Sequence, residues 1–190
     1  MIEYNHRFGT GPGRDAAEMS HTLLKLAGGD RRSIGRADEV AADVLSDPTL
    51  FEVLIRGMWV NDPVIRMRAA DAVEKVTRQH PSWLQPYKET LLDQVAAVDQ
   101  QEVRWHLAQL IPRLALNETE RRRAVALLTR WLDDQSKIVQ VNAMQALVDL
   151  ALADQRLRQQ AIDLVRQKVE TGSAAVRSRG RKLLLQLSSE

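Results

Sequence analysis

The sequence predicts an all-α chain whose helices pair and stack into a right-handed α-solenoid of about five repeats. Three observations carry that prediction. Strand signals are almost absent, with no alternating run of Val, Thr or Tyr bounded by turn residues. Helix starts recur in one grammar, Asp47-Pro48 and Asp62-Pro63. There the carboxylate caps free amides, and proline takes the first helical position, whose N–H has no acceptor in any case. Aliphatic residues also recur with a long, nearly constant period, the mark of stacked units that each bury too little alone.

Taken in order, residues 1–13 carry Gly9, Gly11, Pro12 and Gly13 and read as an arm or loop, with 14–190 as the repeat domain. Gly9 to Gly13 is not a phosphate loop, because no Gly-Lys-Ser/Thr follows. Asp15 with Glu18 has capping-box spacing and starts a helix that ends at Gly28-Gly29. Helices are then predicted over Arg32–Leu45, Thr49–Val60 and Asp62–Gln79. His80-Pro81 opens a segment, with His80 as its cap, that Pro86 splits before a helix to Val98. A helix over Gln100–Leu116 should kink at Pro112, whose ring displaces the bond to Ala108. Asn117 with Glu120 repeats the capping-box spacing and starts a helix to Asp133. Ser136–Ala153, Asp154–Glu170 and Ser173–Ser188 complete the set.

The second helices of the pairs align on Ile34, Ile65, Val103, Val139 and Val176, at spacings of 31, 38, 36 and 37 residues. Offsets 4, 7, 8 and 11 from each anchor form one helical face. They are mostly small or aliphatic, as in Ala69, Leu107, Ala143 and Gly180 at offset 4. The first helices align independently on Leu23-Leu24, Leu54-Ile55, Leu91-Leu92, Leu127-Leu128 and Leu164-Val165. Two anchor sets with one period give repeats at 15–46, 47–79, 81–116, 117–153 and 154–188.

The segment from Asp62-Pro63-Val64-Ile65-Arg66 to Ala70, with Val103-Arg104 and Val176-Arg177, resembles HEAT repeats over residues 15–188. The resemblance implies five HEAT-like helix pairs and no particular reaction. It also implies a ladder between a turn Asp and the Arg after the anchor. Here Arg66, Arg104 and Arg177 keep the Arg, whereas Gln140 replaces it and Gly35 lacks it. Asp134 holds the turn position that Val60, Val98 and Thr171 occupy elsewhere, so the ladder should be incomplete.

Each second helix of such a stack leaves one arc open on the concave side, and at about 100° per residue this arc holds offsets 2, 5, 6 and 9, flanked by 3 and 10. Offset 2 brings Met67, Trp105 and Val141 into a row of apolar anchors. Arg68, His106 and Arg179 flank it, and Asp71, Glu74, Gln109, Gln145 and Lys182 complete the wall. A large rigid ring among orienting charges is the composition of a recognition surface. A helical register shifted by one residue would instead make Trp105 a core plug beside Pro112. Trp59, Trp83 and Trp131 lie on first helices or their turns and read as packing residues. Arg121-Arg122-Arg123 reads as a solvated face, and Arg177, Arg179, Arg181 and Lys182 as a soluble cap or an anion contact.

The residue inventory argues against chemistry. There is no cysteine, and none of His6, His21, His80 and His106 pairs at metal-ligand spacing. No nucleophile elbow occurs, so no catalytic residue, metal or cofactor is predicted. A net charge of +2 is modest for a nucleic-acid clamp. Nothing approaches a membrane span or a signal peptide, and the cytoplasm is the default compartment. The function predicted is a non-catalytic scaffold binding a peptide or partner helix on its concave face, with Arg68, His106 and Arg179 selecting an acidic segment. The alternative is nucleic-acid binding, including a HEAT-like alkylpurine DNA glycosylase, for which Trp105, Arg66, Arg68, Arg104 and Asp71 supply the residue types.

Overall fold

The structure, a computed structural model, describes residues 21–188, all outside the expected arm at 1–13 and the Asp15–Glu18 box. Among the described residues there are helices, turns and loops but no strand. The helices are α1 (21–26), α2 (Ala37–Ser46), α3 (Phe51–Gly57), α4 (Pro63–Gln79), α5 (Lys88–Thr90), α6 (Gln101–Leu110), α7 (Glu118–Trp131), α8 (Lys137–Ala153), α9 (Arg158–Thr171) and α10 (Ala174–Ser188).

They form two layers. In the inner layer α2, α4, α6, α8 and α10 pack each on the next, and α3, α7 and α9 lie outside against α4, α8 and α10. This is an α-solenoid, with one continuous core between the layers. Leu54, Leu91, Leu107, Leu128 and Met144 are fully buried in it. Their burial is the main stabilising term, at about 1.5–3 kcal/mol for each such side chain.

Local sequence explains where the elements begin. Asp62 accepts from the amides of Val64 and Ile65 at 2.8 and 3.2 Å, with Pro63 behind it. Asn117 and Glu120 exchange bonds of 2.9 and 2.7 Å as a complete capping box. Asp47 and Asp154 cap shorter 3₁₀ turns, Pro48–Leu50 and Gln155–Leu157. His80 makes no capping bond and instead stacks on Trp83, 4.5 Å between centroids. Trp83 in turn meets Phe51 edge-on at 5.6 Å, and Trp131 is buried, so both serve packing.

Prolines account for the departures. α6 does not kink through Pro112 but stops at Leu110, and Ile111–Arg113 turns as a 3₁₀ helix. Proline lacks the donor needed to continue the helix, and its ring crowds the preceding turn. Pro81 and Pro86 likewise hold Pro81–Tyr87 in a 3₁₀ turn, and Leu91–Val95 then widens into a π turn. α2 begins at Ala37, five residues later than the pattern suggests, and Ile34 is 45% exposed rather than a buried anchor. Ala37, Val40, Ala41 and Val44 bury the face of α2.

The small residues at offset 4 mark close packing, and Gly180 is the clearest case. A Cβ there would lie 2.6 Å from a methyl of Val169 on α9. Along the inter-repeat turns, Arg104 binds Asp134 at 2.6 Å, joining two repeats. Arg66 uses Gln100 instead of an aspartate, at 2.8 Å, and Arg177 bonds the carbonyl of Gly172 at 2.9 Å. Gln140 reaches the Asp134 carbonyl. The turn ladder is therefore present at one junction as an ion pair and at others as neutral substitutes.

Candidate functional site

The inner layer is the place to look, because its helices expose one arc each. Two of the expected groove residues on α4 do not reach that arc. Met67 is only 7% exposed. Arg68 is 4% exposed, and its guanidinium donates to the carbonyls of Leu26, Gly28 and Ser33 at 2.8, 2.7 and 3.1 Å, and to Ala27 and Asp30 at 3.3 Å. The last carbonyls of a helix have no internal partner. α1 ends at residue 26, so Arg68 supplies the donors its terminus lacks. The side chain is a structural clamp across two repeats and not a selector of acidic partners. Helical periodicity fixes where a side chain sits around its own helix, but the loop after α1 folds over α4 and covers Arg68.

The clamp depends on glycine. Gly35 has φ +53°, and a Cβ on it would lie 2.6 Å from Cζ of Arg68. Gly28 has φ +79° but open space around its Cα. Gly35→Ala should therefore cost about 2–4 kcal/mol by urea denaturation, combining backbone strain with displacement of the guanidinium. Gly28→Ala, with strain alone, should cost about 1–2 kcal/mol. Equal losses for the two would contradict the clamp.

Further along α4, Asp71 pairs with Lys75 at 2.6 Å, and Lys75 also reaches Asp38 of α2. His106 of α6 places Nε2 4.0 Å from Asp71 and Nδ1 3.3 Å from the Gln109 side-chain oxygen. Burial pushes the His106 pKa down, against the opposing pull of Asp71. Burial thus disfavours the charged ring, which is covered and turned toward Asp71 and Gln109. Trp105 and Val141 are half-buried, both packed against the core, and Trp105 lies 5.6 Å from the His106 ring. The row of three apolar anchors is reduced to two partly covered ones.

Glu74 is 3% exposed. Its carboxylate meets Arg113 at 2.5 Å and Arg78 at 2.7 Å. Arg113 also donates to the Glu74 carbonyl and the Thr77 hydroxyl, at 2.9 and 2.8 Å. Burial pushes the Glu74 pKa up, but the bonds from Arg78 and Arg113 outweigh it and leave it below the ordinary value. Arg113 was not legible as a partner from the sequence. The signal was Pro112: by ending α6 it starts a turn from which residue 113 folds back over α4.

Between α6 and α8 the groove deepens into a cavity of about 360 Å³. Ala108, Pro112 and Ala146 leave room in it, and Gln109, Asn142 and Gln145 bring three side-chain amides to its wall. Gln109 donates to Asn142 at 3.0 Å. Gln145 donates to Asp149 at 2.6 Å and accepts from Arg179 of α10. Glu74, Arg113 and Asp149 supply the charge. Burial pushes the Asp149 pKa up, opposed by the Gln145 bond and by Arg179. Of the residues expected at the site, the structure gathers Glu74, Gln109 and Gln145 here. Asn142, Arg113 and Asp149 join them, and Lys182 lies exposed on α10.

A larger cavity of about 490 Å³ lies on the outer layer between α7 and α9. Its Arg121 and Arg156 are both engaged with Asp154, at 2.7 and 2.8 Å. Arg122 and Arg123 pair with Glu118 and Glu89, so the Arg121–Arg123 run is an ion-paired surface. Among the described residues, no cluster of His, Asp and Glu could hold a metal ion, and no helix is long and apolar enough to cross a membrane.

No protein-family model matches the chain, and no curated protein matches it. Among solved structures it is similar to one described as a crystal structure of computationally designed armadillo repeat proteins for modular peptide recognition. The identity is 17%, the TM-score 0.53, and the match covers 90% of this chain and 82% of the other. At that identity the likeness concerns fold, and the chain is a repeat α-solenoid of armadillo-like architecture.

Proposed function

We propose that this chain is a non-catalytic HEAT-like scaffold that holds an extended peptide or partner helix on its concave face. The observation that carries the reading is the amide-lined cavity between α6 and α8. A carboxamide offers both donors and an acceptor, so Gln109, Asn142 and Gln145 match the alternating polarity of a peptide backbone. The designed armadillo repeat proteins of similar fold, made for modular peptide recognition, support it by analogy.

The nucleic-acid reading has less support. Its basic residues are occupied, Arg66 by Gln100, Arg68 by backbone carbonyls and Arg104 by Asp134. Phosphate binding needs several clustered, available cations.

Binders selected from a random peptide library should lose affinity when Asn142→Arg fills the cavity, in a variant whose thermal unfolding remains cooperative. Binding unaffected by that block would overturn the reading. Trp105→Ala should lower stability by about 2–4 kcal/mol, as expected for a partly covered ring. It should also weaken the selected peptides about tenfold if the open edge of the ring serves as an anchor. Unchanged affinity in the folded variant removes Trp105 from the surface.

A further inference from the structure

The concave face was expected to favour an acidic partner, and the distribution of its charges points the other way. Arg68 is engaged by backbone carbonyls, Lys75 by Asp71 and Asp38, and Arg78 and Arg113 by Glu74. Arg179 donates to an amide oxygen, and His106 is buried beside Asp71. These four arginines and Lys75 thus each have a partner already. The acids are not matched in the same way. Asp149 lines the cavity, is half-buried, and forms no ion pair with a described Lys, Arg or His. Its one hydrogen-bond donor is the neutral amide of Gln145. Arg179 acts on it from a distance but directs its own bond to the Gln145 oxygen.

We propose that the cavity between α6 and α8 takes a lysine or arginine side chain of the bound peptide, with Asp149 as its counter-ion. The inference rests on the peptide-binding reading and names the chemistry that occupies its central subsite. A carboxylate withdrawn from water without a cation is a cost that a ligand cation removes. The small residues Ala108 and Ala146 and the ring of Pro112 leave an apolar passage for the methylene stem of a long basic side chain. At its end the charged head meets Asp149, and the amide oxygens of Gln109 and Asn142 retain lone pairs for its remaining donors. Glu74 does not compete for the ligand, because two guanidiniums already neutralise it.

The test uses three fluorescently labelled peptides of equal length, alternating lysine–serine, glutamate–serine and threonine–serine, at about 0.15 M salt, where unspecific surface attraction is screened. The lysine–serine peptide should bind and the glutamate–serine peptide should not. Asp149→Asn, which keeps the shape and the acceptor for Gln145, should weaken the lysine–serine peptide roughly thirtyfold, as for a buried charge pair that loses one member. Asp163→Asn makes the same change in net charge at an exposed position on α9 and should leave binding within about twofold. Equal weakening by both variants would overturn the proposal, because a diffuse charge effect would then explain it. So would a lysine–serine peptide that fails to bind, or one that binds Asp149→Asn as well as wild type. Binding of the glutamate–serine or threonine–serine peptide in its place, abolished by Asn142→Arg, would overturn the counter-ion while leaving the peptide groove standing.

Discussion

Arg68→Met should destabilise the chain by about 3–5 kcal/mol in urea denaturation, among the largest effects of any single inner-layer substitution. Methionine keeps most of the stem volume, so the loss isolates the guanidinium. Five carbonyl oxygens, on Leu26, Ala27, Gly28, Asp30 and Ser33, lose a charged donor. Each hydrogen bond to a charged group contributes about 1.5–3 kcal/mol, and the total is limited because carbonyls near the surface regain water. Arg68→Lys should recover less than half of the loss, since an ammonium has three donors at one point and cannot span five acceptors in a fork. Stability of Arg68→Met within about 1 kcal/mol of wild type would show that the loop 27–36 folds without the clamp.

Glu74→Gln should cost about 2–4 kcal/mol, because it leaves Arg113 and Arg78 without the carboxylate that compensates their charge. The effect has a pH signature. Glu74 is held below the ordinary glutamate value of about 4.3 in the folded chain, so the unfolded chain binds its proton first as pH falls. Its stabilising contribution is complete above the unfolded pKa and disappears as pH falls through the folded one. Between about pH 6 and pH 3 the wild type should therefore lose more stability than Glu74→Gln, and the two curves should converge at the acid end. Parallel curves across that range would mean that the Glu74 carboxylate is not selectively stabilised by its arginines.

The architecture was readable in the sequence because its signal is periodic. Val76, Leu107, Leu114, Val139, Ala143, Val176 and Leu187 are all buried at offsets the pattern assigns. The first repeat misled for a physical reason. Ile34 has the right chemistry and nearly the right spacing, yet the glycine at 35 and the late start of α2 put it in a loop. The groove was less legible. A helical wheel states which direction a residue faces, and Gln109, Gln145 and Glu74, which it put on one face, line one cavity. It does not state what else arrives there. Arg68 points inward and is covered by the loop from the preceding repeat, and Arg113 enters from beyond a proline. Asn142 and Asp149 sit at the flanking offsets 3 and 10, which become central once α6 stops early and the space beside Pro112 opens.

The Arg68 clamp also bears on how the stack comes apart. A solenoid can be treated as a line of units, each with its own stability and a coupling to the next. Across the junction at α4 the second repeat satisfies the backbone of the first through a single side chain, so the coupling there is a backbone requirement and not only apolar contact. The first repeat cannot keep its loop when α4 melts, and α4 exposes a charged, emptied guanidinium when the loop lifts. The two repeats therefore open as one block.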